Sequence, residues 1–207
     1  MNKPKILIAT RNQAKVAELA ALVPLTAKLI SLAEWETETG RRLETPRENG
    51  QTFTANALIK ARAGAKATGL FTLADDSGLS VLALGGAPGI FSARFGGEKL
   101  SDRQRCHLLL SRMKGRHDRR AFFTTVLALA RPDDSHFYWR GQLNGFITIR
   151  PIGDYGFGYD AIFRPAGFSL TLAQLTLDRK NSISHRALAL KAFQNDITTC
   201  YSTHKKS

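Results

Sequence analysis

Four short constellations in this chain hold residue types that could do chemistry. The first is Thr10-x-Asn12-x-x-Lys15, where the apolar run KILIAT gives way to a helix-periodic stretch. The exposed N–H groups and positive dipole end of a starting helix attract phosphate, and Lys15, one turn in, adds a full charge. Capping plus a surface lysine would explain the same pattern. The second is Asp75-Asp76-Ser77-Gly78, directly after the apolar run LFTLA. Adjacent carboxylates at a strand end can hold a hard divalent cation and orient a water for attack on phosphorus. Because strand side chains alternate between faces, only one of the two acids need face a site, and a plain Asx-turn competes with this reading. The third is Gly156-Phe157-Gly158-Tyr159-Asp160, whose glycines would let backbone approach a ligand while Phe157 or Tyr159 stacks on a base; ordinary aromatic packing is the alternative. With Ala161 it superficially fits the dinucleotide pattern G-x-G-x-x-[GA]. That fingerprint must follow a strand and open a helix, whereas this one follows the loop Pro151 to Tyr155, so it is rejected. The fourth is Lys180-x-x-x-Ser184-His185-Arg186, a group of donors at the start of the last helical stretch, suited to anions or carbonyl oxygens, or simply a surface pair. The chain has no Walker-type G-x-x-x-x-G-K-[ST].

An alternation of helices and strands would position these residues. A strand over Lys5 to Thr10 leads through Asn12, a suitable cap, into a helix with Val16, Leu19, Ala20 and Val23 on one face, ended by Pro24. A polar stretch from Glu34 to Gln51 precedes a helix in which Phe53, Ala57, Ala61 and Ala65 recur every four residues before Gly69 stops it. Leu70 to Ala74 reads as a buried strand, and a glycine-rich loop runs from Gly85 to Glu98. Ser101 caps a helix through about Met113. Residues 121–130 and 136–149 read as a hairpin across Pro132-Asp133-Asp134, and a last helix capped by Ser182 or Ser184 carries Ile183, Ala187, Leu190 and Ile197. The order predicts an α/β fold with a mixed sheet, because the central hairpin departs from strict βαβ order.

Composition narrows the classes. With 207 residues, 43% hydrophobic and 23% charged, the chain can bury an ordinary core, which excludes global disorder. No apolar run reaches a membrane span or a signal-peptide core, and Cys106 and Cys200 match neither a metal pair nor a disulfide framework; the expectation is a cytoplasmic protein with buried free thiols and no membrane partner. The net charge of +13 calls for an anionic partner without choosing one. Its clusters, Arg103-Arg105, Arg116-Arg119-Arg120 and Lys205-Lys206, are short and scattered, as a solvated face would be; a basic nucleic-acid-binding module without turnover is the rival from another class.

In order along the chain, TRNQAK, ENGQTFTANA, ADDSGLSVLALGGAPGIFSARFGGE, GFGYDAIF and KNSISHRALAL together resemble the inosine triphosphate pyrophosphatase family, from about Lys5 to Phe193. The resemblance implies hydrolysis of non-standard purine nucleoside triphosphates (ITP, dITP, XTP) to the monophosphate and pyrophosphate. It also implies an elongated mixed sheet with flanking helices, two lobes around a central substrate cleft, and a homodimer without a stable nucleic-acid partner. On that basis residues 1–199 form one pyrophosphatase domain and 200–207 a polar tail. Position by position, it makes Thr10, Asn12, Lys15 and Lys180 triphosphate contacts, Asp76 the Mg²⁺-linked catalytic carboxylate and Ser77 its neighbouring substrate contact. Glu48 resembles the second metal carboxylate, Phe157, Gly158, Tyr159 and Asp160 the base and sugar pocket, and His185 with Arg186 the pair that reads the purine. Three positions depart from the commoner pattern: Arg11 replaces a glycine and is a further candidate phosphate contact, Ala55 replaces an acid, and Ala161 replaces a proline.

Overall fold

The computed structural model describes residues 5–22 and 28–202, without the side chains at 14, 21, 22 and 197–202. Val23, the helix stop at Pro24 and Lys205-Lys206 lie outside the described residues, as do the side chains of Ile197 and Cys200. Six strands form one mixed sheet in the order β2-β1-β3-β4-β5-β6: β1 is Lys5–Ile8, β2 Lys28–Ser31, β3 Phe71–Val81, β4 Arg120–Ala130, β5 His136–Ile147 and β6 Phe163–Pro165. β1 runs parallel to both β2 and β3, and β5 is antiparallel to β6, so the expected α/β class with a mixed sheet holds. The helices are α1 Gln13–Leu22, α2 Leu32–Thr39, α3 Phe53–Thr68, α4 Asp102–Arg112, α5 Leu177–Ile183 and α6 His185–Ser202.

The chain divides into two compact units, and β3, β4 and β5 each start in one and end in the other. The first holds the chain through Asp76, Thr125–Gly141 and everything from Arg186 on. Its strands bury opposite parities on opposite faces. Ile6, Ile8, Leu73, Leu127 and Leu129 meet Leu19 of α1 and Ala189, Leu190 and Phe193 of α6. On the other face, Ala74, Val126, Ala128 and Ala130 meet the alanine stripe Ala57, Ala61 and Ala65 of α3. Small side chains let α3 lie close: a Cβ at Gly64 would come within 2.6 Å of Thr72 Cγ2. Gly69, at φ +70°, ends α3 as the sequence predicts, and Thr52 caps its start. The second unit, Ser77–Thr124 with Gln142–His185, packs Cys106, Leu109 and Met113 of α4 against Leu79, Val81, Phe123, Ile147, Tyr159 and Phe163.

Five features differ from the sequence expectation. β1 stops at Ile8, leaving Thr10 in the turn, and β5 stops at Ile147. β3 does not end at Ala74 but continues to Val81, because Leu79 and Val81 resume an apolar alternation that the second unit buries; the Asp75-Asp76 pair therefore lies inside a strand. The stretch around Glu34 is partly ordered: β2 runs parallel to β1, and α2 follows it on a capping box in which Ser31 and Glu34 satisfy each other's backbone N–H groups. The last helix is two. Ser184, extended at ψ 154°, separates α5, which carries Lys180, from α6, which His185 opens.

Candidate active site

Strand parity sorts the two acids. Asp75 shares the face of Leu73 with α1 and α6, whereas Asp76 shares the face of Ala74 with α3. Asp75 accordingly meets Lys15 of α1 at 2.9 Å and Arg186 of α6 at 3.4 Å, and Arg186 also pairs with Glu18. Burial alone would raise the Asp75 carboxyl, yet Lys15, Arg186 and Lys60 hold it well below the ordinary carboxylate range. Arg186 is only 1% exposed, and its charge persists because two carboxylates face it.

Asp76, on the opposite face, meets Lys60 of α3, whose Nζ stands 3.3 Å from Asp76 Oδ1 and 3.3 Å from Glu48 Oε1. Burial pushes the Asp76 carboxyl up, Lys60 pulls it down, and the charges of Glu48 and Asp75 raise it again, leaving it above its ordinary value. Glu48 lies on an extended segment anchored where Gly50 donates to Asn56 Oδ1 at 2.8 Å; a Cβ at Gly50 would come within 2.6 Å of that oxygen. The donor set suits Mg²⁺. Two hard carboxylates converge on one cationic point, and Asp76 Oδ2 is buried with no hydrogen-bond partner among the described residues. The described residues contain no group of three or more His, Cys, Asp or Glu able to cage a metal.

At the start of α1, Asn12 Oδ1 accepts from the Lys15 N–H at 3.2 Å and Thr10 Oγ1 from the Asn12 N–H at 3.2 Å, so Asn12 caps the helix as expected. Arg11 points elsewhere, forked onto Glu36 of α2 at 2.7 and 3.2 Å and onto the Leu43 carbonyl at 2.8 Å.

The second unit assembles a different group. Asp160 Oδ2 accepts from the Phe157 N–H at 3.0 Å and pairs with Lys180 Nζ at 2.7 Å, with both side chains almost wholly buried; the same ammonium stands 4.5 Å from the Phe157 ring centroid. Gly156 permits this approach, since a Cβ there would fall 2.1 Å from Asp160 Oδ2. Gly158 turns the chain at φ +61°. Tyr159 faces inward and donates to the Ser92 carbonyl at 2.9 Å. His185 stacks on Phe123 with centroids 4.6 Å apart, and Ser77 follows Asp76 half-buried on β3.

Lys60 thus stands between two carboxylates on one face of β3, and Lys15 with the start of α1 meets Asp75 on the opposite face. A profile of the Ham1 family matches residues 6–196. The chain belongs to the Ham1 family. It is similar to the Deinococcus radiodurans protein named dITP/XTP pyrophosphatase, 47% identical over 189 residues covering 91% of this chain and 90% of that one. The Thermus thermophilus protein of the same name is 46% identical, covering 91% of this chain and 89% of its own length. Among solved structures, a HAM1 protein from Coxiella burnetii superposes with TM-score 0.86 at 38% identity, over 95% of this chain and 99% of that one. The resemblance drawn from the five motifs is thus borne out.

Two residues of this Ham1 chain escaped the sequence reading. Lys60 and Glu18 both sit on helices whose apolar periodicity was the visible signal, so each looked like solvated polarity. Lys60 follows the buried Asn56 by one helical turn, and that polar pair on an alanine helix was the available clue.

Proposed function

We propose that this chain is a Mg²⁺-dependent pyrophosphohydrolase that converts dITP, ITP and XTP to the nucleoside monophosphate and pyrophosphate. The observation that carries the reading is the convergence of Asp76 and Glu48 on the Lys60 ammonium, with Lys15 and a helix start on the other face of the same strand. Glu48 and Asp76 would hold Mg²⁺, which when bound supplies charge neutralisation for the phosphates. Water attacks the α-phosphorus, the bond from that phosphorus to the bridging oxygen breaks, and pyrophosphate leaves. Asp76, whose carboxyl burial raises, accepts the proton of the attacking water. Thr10, Asn12 and Lys15 bind the triphosphate, with Lys180 as a further phosphate contact and Ser77 beside the attacked group; Arg11, committed to Glu36 and the Leu43 carbonyl, is left out of the phosphate contacts. Positioned charges in a desolvated site do most of the work in such transfers.

In this reading Phe157, Gly158, Tyr159 and Asp160 receive the base and sugar, and His185 with Arg186 reads the 6-oxo group of hypoxanthine or xanthine. Adenine would present a donor there and leave buried donors unpaired, at about 1 to 3 kcal/mol each. The same resemblance supports residues 1–199 acting as one domain, a homodimer, a cytoplasmic setting and no stable nucleic-acid partner. No helix among the described residues is long and apolar enough to cross a membrane.

The test is pyrophosphate release from dITP, ITP, XTP, ATP and GTP with Mg²⁺. Asp76→Asn is expected to lower kcat by about 10² to 10⁴, the usual share of general-base catalysis. Near wild-type turnover in that variant would remove Asp76 from the mechanism. Absence of turnover on every triphosphate, together with salt-sensitive duplex binding, would favour the nucleic-acid reading.

A further inference from the structure

The base-and-sugar loop is held from behind by one turn of α4. Asp102 Oδ2 accepts from the Gly158 N–H at 2.6 Å, and the Cys106 thiol donates to the Gly158 carbonyl at 3.2 Å. Asp102 and Cys106 are four residues apart, on the same face of the helix, so a single turn grips both polar groups of one residue. The turn is itself fixed: Ser101 caps α4 in a capping box with Gln104, and Arg105, paired with Asp102 Oδ1 at 3.0 Å, donates to the Leu100 carbonyl at 2.8 Å.

Gly158 itself has no side chain to pack. A cavity of about 460 Å³, lined by Arg103, His107, Tyr155 and Phe157 among others, runs along this wall, and a Cβ at Gly158 would meet nothing within 4 Å. With open space where a side chain would be, Gly158 keeps its place through its polar contacts, while its neighbour Tyr159 packs into the core. Its neighbours on either side are the ones the proposed function uses: Phe157 offers its ring, and Asp160 meets Lys180.

We propose that Asp102 and Cys106 are positioning residues that clamp Gly158 and so aim Phe157 and Asp160 at the base and sugar of the substrate. This rests on the reading of that loop as the base-and-sugar pocket. Burial holds the Cys106 thiol protonated, pushed up to about 12, which keeps it a hydrogen-bond donor at neutral pH.

The experiment compares steady-state dITP hydrolysis with Mg²⁺ in Asp102→Ala, Cys106→Ala, the double variant, Asp102→Asn and Phe157→Ala, alongside hydrogen exchange across 156–160. Each single alanine variant is expected to raise KM about threefold and the double variant about tenfold, the scale of one to two hydrogen bonds, with kcat within about twofold. Asp102→Asn, which keeps an acceptor oxygen for the Gly158 N–H, is expected to restore KM, and exchange across the loop to quicken in step with KM. Asp102 is half-exposed, so its alanine variant retains the fold even where the double variant does not. Unchanged KM and exchange in Asp102→Ala, beside a raised KM in Phe157→Ala, overturns the clamp alone. Unchanged KM in Phe157→Ala overturns the reading of the loop, and the clamp's function with it. Equal losses in kcat and KM that Asp102→Asn fails to restore would mark Asp102 as merely structural and overturn the proposal.

Discussion

The first unit places its charges with regular structure, the second with backbone hydrogen bonds. On β3, period-two alternation sends Asp75 to α1 and α6 and Asp76 to α3, so two neighbouring carboxylates meet different cations: Lys15 and Arg186 on one face, Lys60 on the other. The same alternation lets adjacent like charges coexist, because each has its own compensation. In the loop around Gly158 no ladder fixes the chain. Glycines at positive φ and single contacts to Asp160, Asp102 and Cys106 set its course. A charge cluster in a sheet is thus placed by packing, whereas the loop at Phe157 and Gly158 depends on a few polar contacts, with Tyr159 packed in the core beside them.

The largest expected effect breaks the first arrangement. Arg186→Met strips one buried cation from both Glu18 and Asp75, and should cost about 3 to 5 kcal/mol in urea unfolding, the range for removing one partner of a buried ion pair. Lys180→Met removes the ammonium that meets Asp160, and that carboxylate keeps the Phe157 N–H, so its loss should fall at the lower end of the range. A larger loss for Lys180→Met would mean that the loop, not the sheet, carries the more demanding buried charge.

A smaller effect separates two glycines of the loop. Gly156→Ala meets both a positive φ of +79° and Asp160 Oδ2 at 2.1 Å, whereas Gly158→Ala meets only φ +61° with open space around the new methyl. Backbone strain alone is worth about 1 kcal/mol, so Gly158→Ala should lose about that much, and Gly156→Ala about 2 to 3 kcal/mol plus a displaced Asp160. Equal melting temperatures for the two variants would show that Asp160 moves aside freely and that its pairing does not hold the loop.

The same division explains what the sequence revealed. The alanine stripe at 57, 61 and 65, the caps at Asn12 and Ser101, the Gly69 stop and the alternating acids are periodic or positional signals, and all were readable. The continuation of β3 past Ala74 was not, because a run of Asp, Asp, Ser and Gly has low strand propensity and becomes strand only when the long-range cores on both sides bury it. β2, of four residues with Lys and Ser at its ends, was too short to show a period, although the Ser31-x-x-Glu34 box was in view. Glu48 came from family resemblance alone, since an acid on an extended segment has no local signature. The grip of α4 on Gly158 joins residues 56 positions apart for one contact and 52 for the other, beyond any local pattern.

The smallest expected effect uses an exposed pair as the counterpart of these buried ones. Arg11, beside the Asn12 cap of α1, forks onto Glu36. That contact, with the Leu43 N–H, holds the Glu36 carboxyl down from 4.5 to about 2. A depressed folded-state value stabilises the fold above the unfolded value and ceases to do so as pH falls through about 2; at neutral pH the contribution is complete but screened by solvent. In Arg11→Gly the Glu36 midpoint, followed by carboxyl NMR, should climb back toward 4.5, held partly down by the remaining Leu43 N–H, while the melting temperature at pH 7 barely moves. A substantial drop in melting temperature would show that Arg11 ties α2 to the start of α1, and would place a surface residue among the supports of the turn proposed to bind triphosphate.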